Sequence, residues 1–106
     1  MIDWGRVAEL RSEIGDDDIA DVVALFLEEA DEVVARLAVP MRDGAEVARA
    51  LHALRGAALN LGLAELATLC GAAEADPAGP ALQAVPDCYA ASRRALEQGL
   101  TAPRAA

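Results

Sequence analysis

One imidazole stands in a run of small and apolar residues. His52, the only histidine of the chain, lies within Leu51-His52-Ala53-Leu54-Arg55-Gly56-Ala57-Ala58-Leu59-Asn60-Leu61-Gly62. A neutral imidazole nitrogen is a nucleophile near neutral pH, and the ring can also move protons. Val47, Leu51, Leu54, Ala58 and Leu61 are spaced 4, 3, 4 and 3 apart, which predicts one buried helical stripe. At about 100° per residue, His52 points about 140° away from the centre of that stripe. The spacing therefore predicts an exposed histidine, not a satisfied core one. Arg55 at i+3 and Gly56 at i+4 lie beside it, and Ala48 and Ala45 lie one and two turns back on the same side. The imidazole is thus ringed by small side chains, with one fixed positive charge next to it. Gly56 in mid-helix costs about 1 kcal/mol relative to Ala. A steric reason must offset that cost, and small neighbours let another protein's backbone approach closely.

The remaining candidate chemistry is thin. Cys70 and Cys88 are separated by seventeen residues, and there is no second histidine. A zinc site usually needs four ligands at tight spacing, so no metal is expected and the cysteines read as two buried free thiols. Glu28, Glu29, Asp31 and Glu32 are interleaved with an apolar stripe and read as a solvated acidic face. No Gly-rich nucleotide loop is present, which excludes a kinase. A hydrolase built on His52 lacks a positioned nucleophile. The formal net charge is −9 and all nine basic residues are Arg. Such a chain lacks the positive footprint that nucleic acid or an anionic membrane requires. No stretch approaches the roughly 20 apolar residues of a membrane span. No charged segment followed by a hydrophobic one signals export. A cytoplasmic protein is expected.

The elements that must position His52 are helices. A chain of 106 residues suits one domain with one core. Hydrophobic residues make up 55%, with only one each of Trp, Tyr and Phe, so the core is Ala, Leu and Val. That favours packed helices over strands. The first helix is predicted over Trp4 to Ile14, with Asp3 as N-cap and Gly15 as stop. The second is predicted from about Asp18 to Ala38, with Asp16 and Asp17 as cap candidates and Pro40 at or after its end. The third, capped by Asp43, runs from about Gly44 to Leu61 and carries His52; Gly62 stops it. The fourth covers Leu63 to about Ala75. Asp76-Pro77-Ala78-Gly79-Pro80 is a loop signal. The last helix runs from about Ala81 to Leu100, and either starts near Pro86 or kinks there. The fold expected is all-α: an antiparallel up-down-up-down four-helix bundle over residues 1–100 with a short extra N-terminal helix. The tail, residues 101–106, is expected to fray.

The run from His52 to Gly62 resembles the motif of histidine-containing phosphotransfer (HPt) domains, roughly His-x-Leu-Lys-Gly-Ser/Ala-Ala-x-x-Leu-Gly. Leu63-Ala64-Glu65-Leu66-Ala67-Thr68-Leu69-Cys70 is similar to the helix that follows it in the family. Ile2-Asp3-Trp4 and Leu25-Phe26-Leu27-Glu28-Glu29 are similar to typical N-terminal segments. The resemblance covers about residues 2–99. It implies a phosphorelay carrier in which His52 receives a phosphoryl group through Nε2 from a receiver-domain aspartate and passes it to another. Arg55 stands where the family usually has Lys; the positive charge is kept and would steady the phosphoryl oxygens. Ala57 replaces a common Ser. Partner docking is expected on the faces of the second and third helices around His52, with Ala48, Gly56, Leu59 and Glu74 as docking residues. Glu74 falls where some members have a Gln. It could accept a hydrogen bond from the other imidazole nitrogen, or be an ordinary exposed Glu.

The partners implied are receiver domains of a hybrid histidine kinase or a response regulator, met by a monomer that holds no cofactor itself. The Mg²⁺ of the reaction is expected on the receiver. A stand-alone shuttle without enzymatic turnover is the expected function. The rivals are an HPt-like module that binds without accepting phosphate, and the phosphoacceptor domain of a larger chemotaxis-type histidine kinase.

Overall fold

The structure, a computed structural model, describes residues 2–37 and 43–101. These form five helices: α1 (Trp4–Ile14), α2 (Ile19–Leu37), α3 (Gly44–Leu61), α4 (Ala64–Ala75) and α5 (Pro80–Thr101). Among the described residues there is no strand. α2 packs on α3, α3 on α4, α4 on α5, and α5 returns to α2, while α1 packs against α2 and α3. The predicted end of the second helix at Ala38, the break at Pro40 and the tail beyond Thr101 lie outside the described residues.

The helix ends follow from cap chemistry. The Asp3 carboxylate accepts from the Arg6 N–H at 3.1 Å, and that of Asp43 from the Ala45 N–H at 2.9 Å. Each satisfies one donor that a first helical turn leaves open. Gly15 ends α1 at φ +101°, its N–H bonded to the Arg11 carbonyl at 2.8 Å. α2 begins at Ile19, one residue later than expected, after a turn over residues 16–18.

The α3–α4 junction is the tightest in the chain. Gly62 adopts the left-handed conformation at φ +77°, and the Leu63 N–H returns to the Ala58 carbonyl at 2.8 Å. This is a Schellman turn, whose glycine avoids the left-handed penalty of a Cβ. A Cβ on Gly62 would also stand 2.6 Å from the Asp3 carbonyl oxygen. The Asp3 N–H donates to the Gly62 carbonyl at 2.6 Å, and Arg6 Nε donates to the Asn60 carbonyl at 3.2 Å. The start of α1 is thereby tied to the turn that sets the angle between α3 and α4.

The core is aliphatic. Leu51, Leu54, Ala58 and Leu61 of α3 are buried as the stripe predicted, with Ala50 added and Val47 only partly covered. They meet Leu66, Ala67, Cys70 and Ala73 of α4, Val23, Leu27 and Ala30 of α2, and Val85, Tyr89 and Leu96 of α5 in one cluster. Burying a leucine or valine side chain contributes about 1.5–3 kcal/mol. α5 starts at Pro80, where the missing N–H costs nothing, and runs on through Pro86. Pro86 therefore does not mark the start of the helix.

Two expectations are corrected. Asp31 is not a plain member of a solvated acidic face. Its carboxylate accepts from the Tyr89 hydroxyl at 2.6 Å and pairs with the Arg93 guanidinium, which also donates to Glu97 at 2.6 Å. The Arg93 hydrogen bonds hold the Asp31 pKa below the usual carboxylate range. Burial, reinforced by the Asp31 contact, pushes the Tyr89 hydroxyl above its ordinary value. The second correction is to the cysteines. Both are free, but only Cys70 is buried; Cys88 is partly exposed near Ser92. Burial pushes the Cys70 thiol up to about 12.

Candidate functional site

His52 projects from the outer face of α3, opposite the buried Leu51–Leu54–Ala58–Leu61 stripe. Its side chain is 82% exposed. The α3–α4 packing brings Glu74, near the end of α4, to the inner edge of the ring. Glu74 Oε1 lies 3.4 Å from His52 Nδ1, and Glu74 Oε2 lies 3.6 Å from Arg55 Nη1. Glu74 is 22% exposed and Arg55 47%, so the carboxylate is the most shielded member of the three. It has the imidazole on one side and the guanidinium on the other, each at ion-pair distance. The imidazole nitrogen farther from Glu74, Nε2, is left on the open edge of the ring.

The packing thus makes Glu74 a neighbour of the imidazole, at ion-pair distance from Nδ1. A carboxylate at Nδ1 favours the tautomer with the proton on Nδ1, which leaves the Nε2 lone pair free. Gly71, one turn before Glu74, lies beside the arginine: a Cβ there would make ordinary van der Waals contact, 3.8 Å from Arg55 Nε.

The alanines and the glycine around His52 lie where the sequence predicts, and Arg49 adds a second cation. Ala48, Arg49, His52, Ala53 and Glu74 line one shallow depression. Ala48, Ala53 and Gly56 are all exposed. A Cβ added at Gly56 would meet no atom within 4 Å. Nothing inside the domain therefore requires a glycine there. Leu59, two turns on from His52, is 56% exposed.

Arg49 was not singled out by the sequence argument, which counted a single fixed charge beside the imidazole. The rule that found Arg55 at i+3 also places Arg49 at i−3. Among the described residues, no three His, Cys, Asp or Glu side chains are grouped so as to hold a metal ion. Nor is any helix among them long and apolar enough to cross a membrane.

Comparison with known proteins agrees with the geometry. The family model of the Hpt domain matches residues 21–102, which run from the first turn of α2 through α5 and leave α1 outside. No curated protein and no solved structure matches the chain. Hpt domains are phosphocarrier modules of phosphorelays, where they interact with receiver domains and kinases. With three quarters of its length matched and its one histidine exposed on the third helix, the chain belongs to the Hpt domain family.

Proposed function

We propose that the chain is a phosphorelay shuttle on an up-down-up-down bundle, in which His52 Nε2 carries the phosphoryl group between receiver-domain aspartates. The observation that carries this reading is the placement of Glu74 at Nδ1. In a family defined by histidine phosphotransfer, a chain with one histidine has one candidate acceptor. Here a carboxylate sits on the nitrogen that must not react.

The transfer balances without a mobile proton. The Nε2 lone pair attacks the phosphorus of the aspartyl phosphate. The N–P bond forms, the acyl P–O bond breaks, and the aspartate leaves as a carboxylate. Nδ1 keeps its proton, so the ring becomes cationic as it takes the phosphoryl group. Glu74 offsets that charge at 3.4 Å. Arg55, close enough to share Glu74, is the cation that steadies the phosphoryl oxygens. Phosphoryl transfer depends mainly on alignment and charge stabilisation, which these three side chains and the partner supply together. The partner receiver brings its own aspartate and Mg²⁺. Ala48, Gly56 and Leu59 form the face on which it docks.

The test is transfer of labelled phosphate from phosphorylated receiver domains to the purified protein, with His52→Ala and His52→Gln alongside. Label on the wild type and none on the variants supports the reading. A wild type that binds a receiver yet takes no label overturns it in favour of a binding module.

A further inference from the structure

The two arginines beside His52 are in different electrostatic states. Arg55 faces α4, where Glu74 Oε2 lies 3.6 Å away. Arg49 lines the depression that holds His52, is exposed, and has no ion pair among the described residues. At about 100° per residue the two flank the histidine on opposite sides, Arg55 toward α4 and Arg49 away from it. Helical side chains lean toward the helix N-terminus. Arg55 therefore leans toward the level of His52, whereas Arg49 leans one turn farther from it. This lean directs Arg49 toward the rim of the depression, away from the phosphoryl position.

The whole-molecule charge gives this position its importance. At −9 the protein repels any anionic partner at long range, and an aspartyl phosphate is a dianion. Arg55 is largely offset by Glu74 before a partner arrives. Among the described residues, the cation at the rim of the site that has no carboxylate partner is Arg49.

We infer that Arg49 is the partner-recognition cation of this site: it pairs with anionic oxygens on the receiver surface around the phosphoaspartate and leaves the chemical step to His52, Glu74 and Arg55. The inference rests on the phosphotransfer reading and assigns separate tasks to the two arginines. Charges at an interface rim act mainly on association rate and salt dependence.

The experiment measures initial transfer rates against concentration of a receiver domain phosphorylated with acetyl phosphate, choosing the receiver that labels the wild type fastest. It compares wild type, Arg49→Ala, Arg49→Lys and Arg94→Ala, the last removing an equal charge from an exposed position on α5. A parallel arm labels the same proteins with phosphoramidate, a small donor with no docking surface. The expected result is a half-saturating receiver concentration raised about fivefold in Arg49→Ala at low salt, the upper end for an exposed ion pair. The saturating rate stays within about twofold, Lys restores the wild-type value, and Arg94→Ala resembles wild type. The difference fades in about 1 M salt, where the Debye length is about 3 Å. Phosphoramidate labelling does not change. An Arg49→Ala curve that superimposes on wild type overturns the inference, as does an equal loss with phosphoramidate, which would place Arg49 on the phosphoryl group itself. A wild type labelled by neither donor would instead overturn the phosphotransfer reading beneath it.

Discussion

Replacing Gly56 with alanine should make the domain more stable and a poorer partner at the same time. Gly56 lies inside α3, and it is not one of the glycines with positive φ. A Cβ there would meet nothing within 4 Å. The substitution therefore gains helix propensity without a steric cost, about 0.8–1.0 kcal/mol. For a domain of this size that raises Tm by about 4 °C or slightly more. If a receiver backbone lies against the same spot, the added methyl overpacks that contact. Overpacking costs about 1–3 kcal/mol, which weakens docking roughly fivefold to a hundredfold. Thermal unfolding by circular dichroism reads the first effect, and the half-saturating receiver concentration in the transfer assay reads the second. A stabilised variant with unchanged transfer would refute the argument that the glycine serves a partner. A destabilised variant would refute the argument that the space above Gly56 is open.

Glu74→Gln should retain an acceptor for the Nδ1 proton but lose the charge that offsets the phosphorylated ring and holds Arg55, so transfer slows by about tenfold or more; Glu74→Ala should be slower still, and a Gln variant at full rate would remove the carboxylate from the account. Gly99→Ala should displace Trp4, because the new Cβ would stand 1.9 Å from the end of its ring. Trp4 is the chain's only tryptophan, so its fluorescence should shift to the red while circular dichroism stays native; an unshifted spectrum contradicts the packing. Asp31 is depressed in the folded state, chiefly by its Arg93 hydrogen bonds. Its contribution is present above the unfolded-state pKa, about 3.9, and is lost as pH falls through the lower folded value. Unfolding by denaturant should therefore show a loss of stability below about pH 4 that Asp31→Asn flattens; the effect is small because both partners are partly exposed. Native thiol alkylation near neutral pH should modify Cys88 before Cys70, since Cys70 is fully buried with its pKa raised to about 12; equal rates would contradict the burial.

The helix ends were legible because their signals are chemical and local. Asp3, Asp43, Gly15 and Gly62 each act on backbone groups within a few residues, and each ends or caps a helix where expected. The α3 stripe was legible because one period carries it. Contacts between distant segments were not. Asp31 reads as one more acid on a polar face until Tyr89 and Arg93, 58 and 62 residues away, are brought against it. The closeness of Glu74 to His52 is not legible in spacing, because it depends on how α4 lies on α3, and that angle is set by the Gly62 turn with α1 tied to it. Pro86 offered two readings because a proline in a first or second turn is compatible with either a start or a continuation. Arg49 is within reach of the same i±3 rule that places Arg55 beside His52.

The claim that most needs a direct measurement is which imidazole nitrogen takes the phosphoryl group. Nitrogen-15 labelling of histidine gives a single residue to observe, since His52 is the only one. Heteronuclear NMR before and after phosphorylation then separates the two ring nitrogens. The account predicts a phosphorus–nitrogen coupling to Nε2 after phosphorylation, with acid-labile, base-stable phosphate absent from His52→Gln. Coupling to Nδ1, or a stable phosphorylated protein whose histidine resonances do not move, would contradict it.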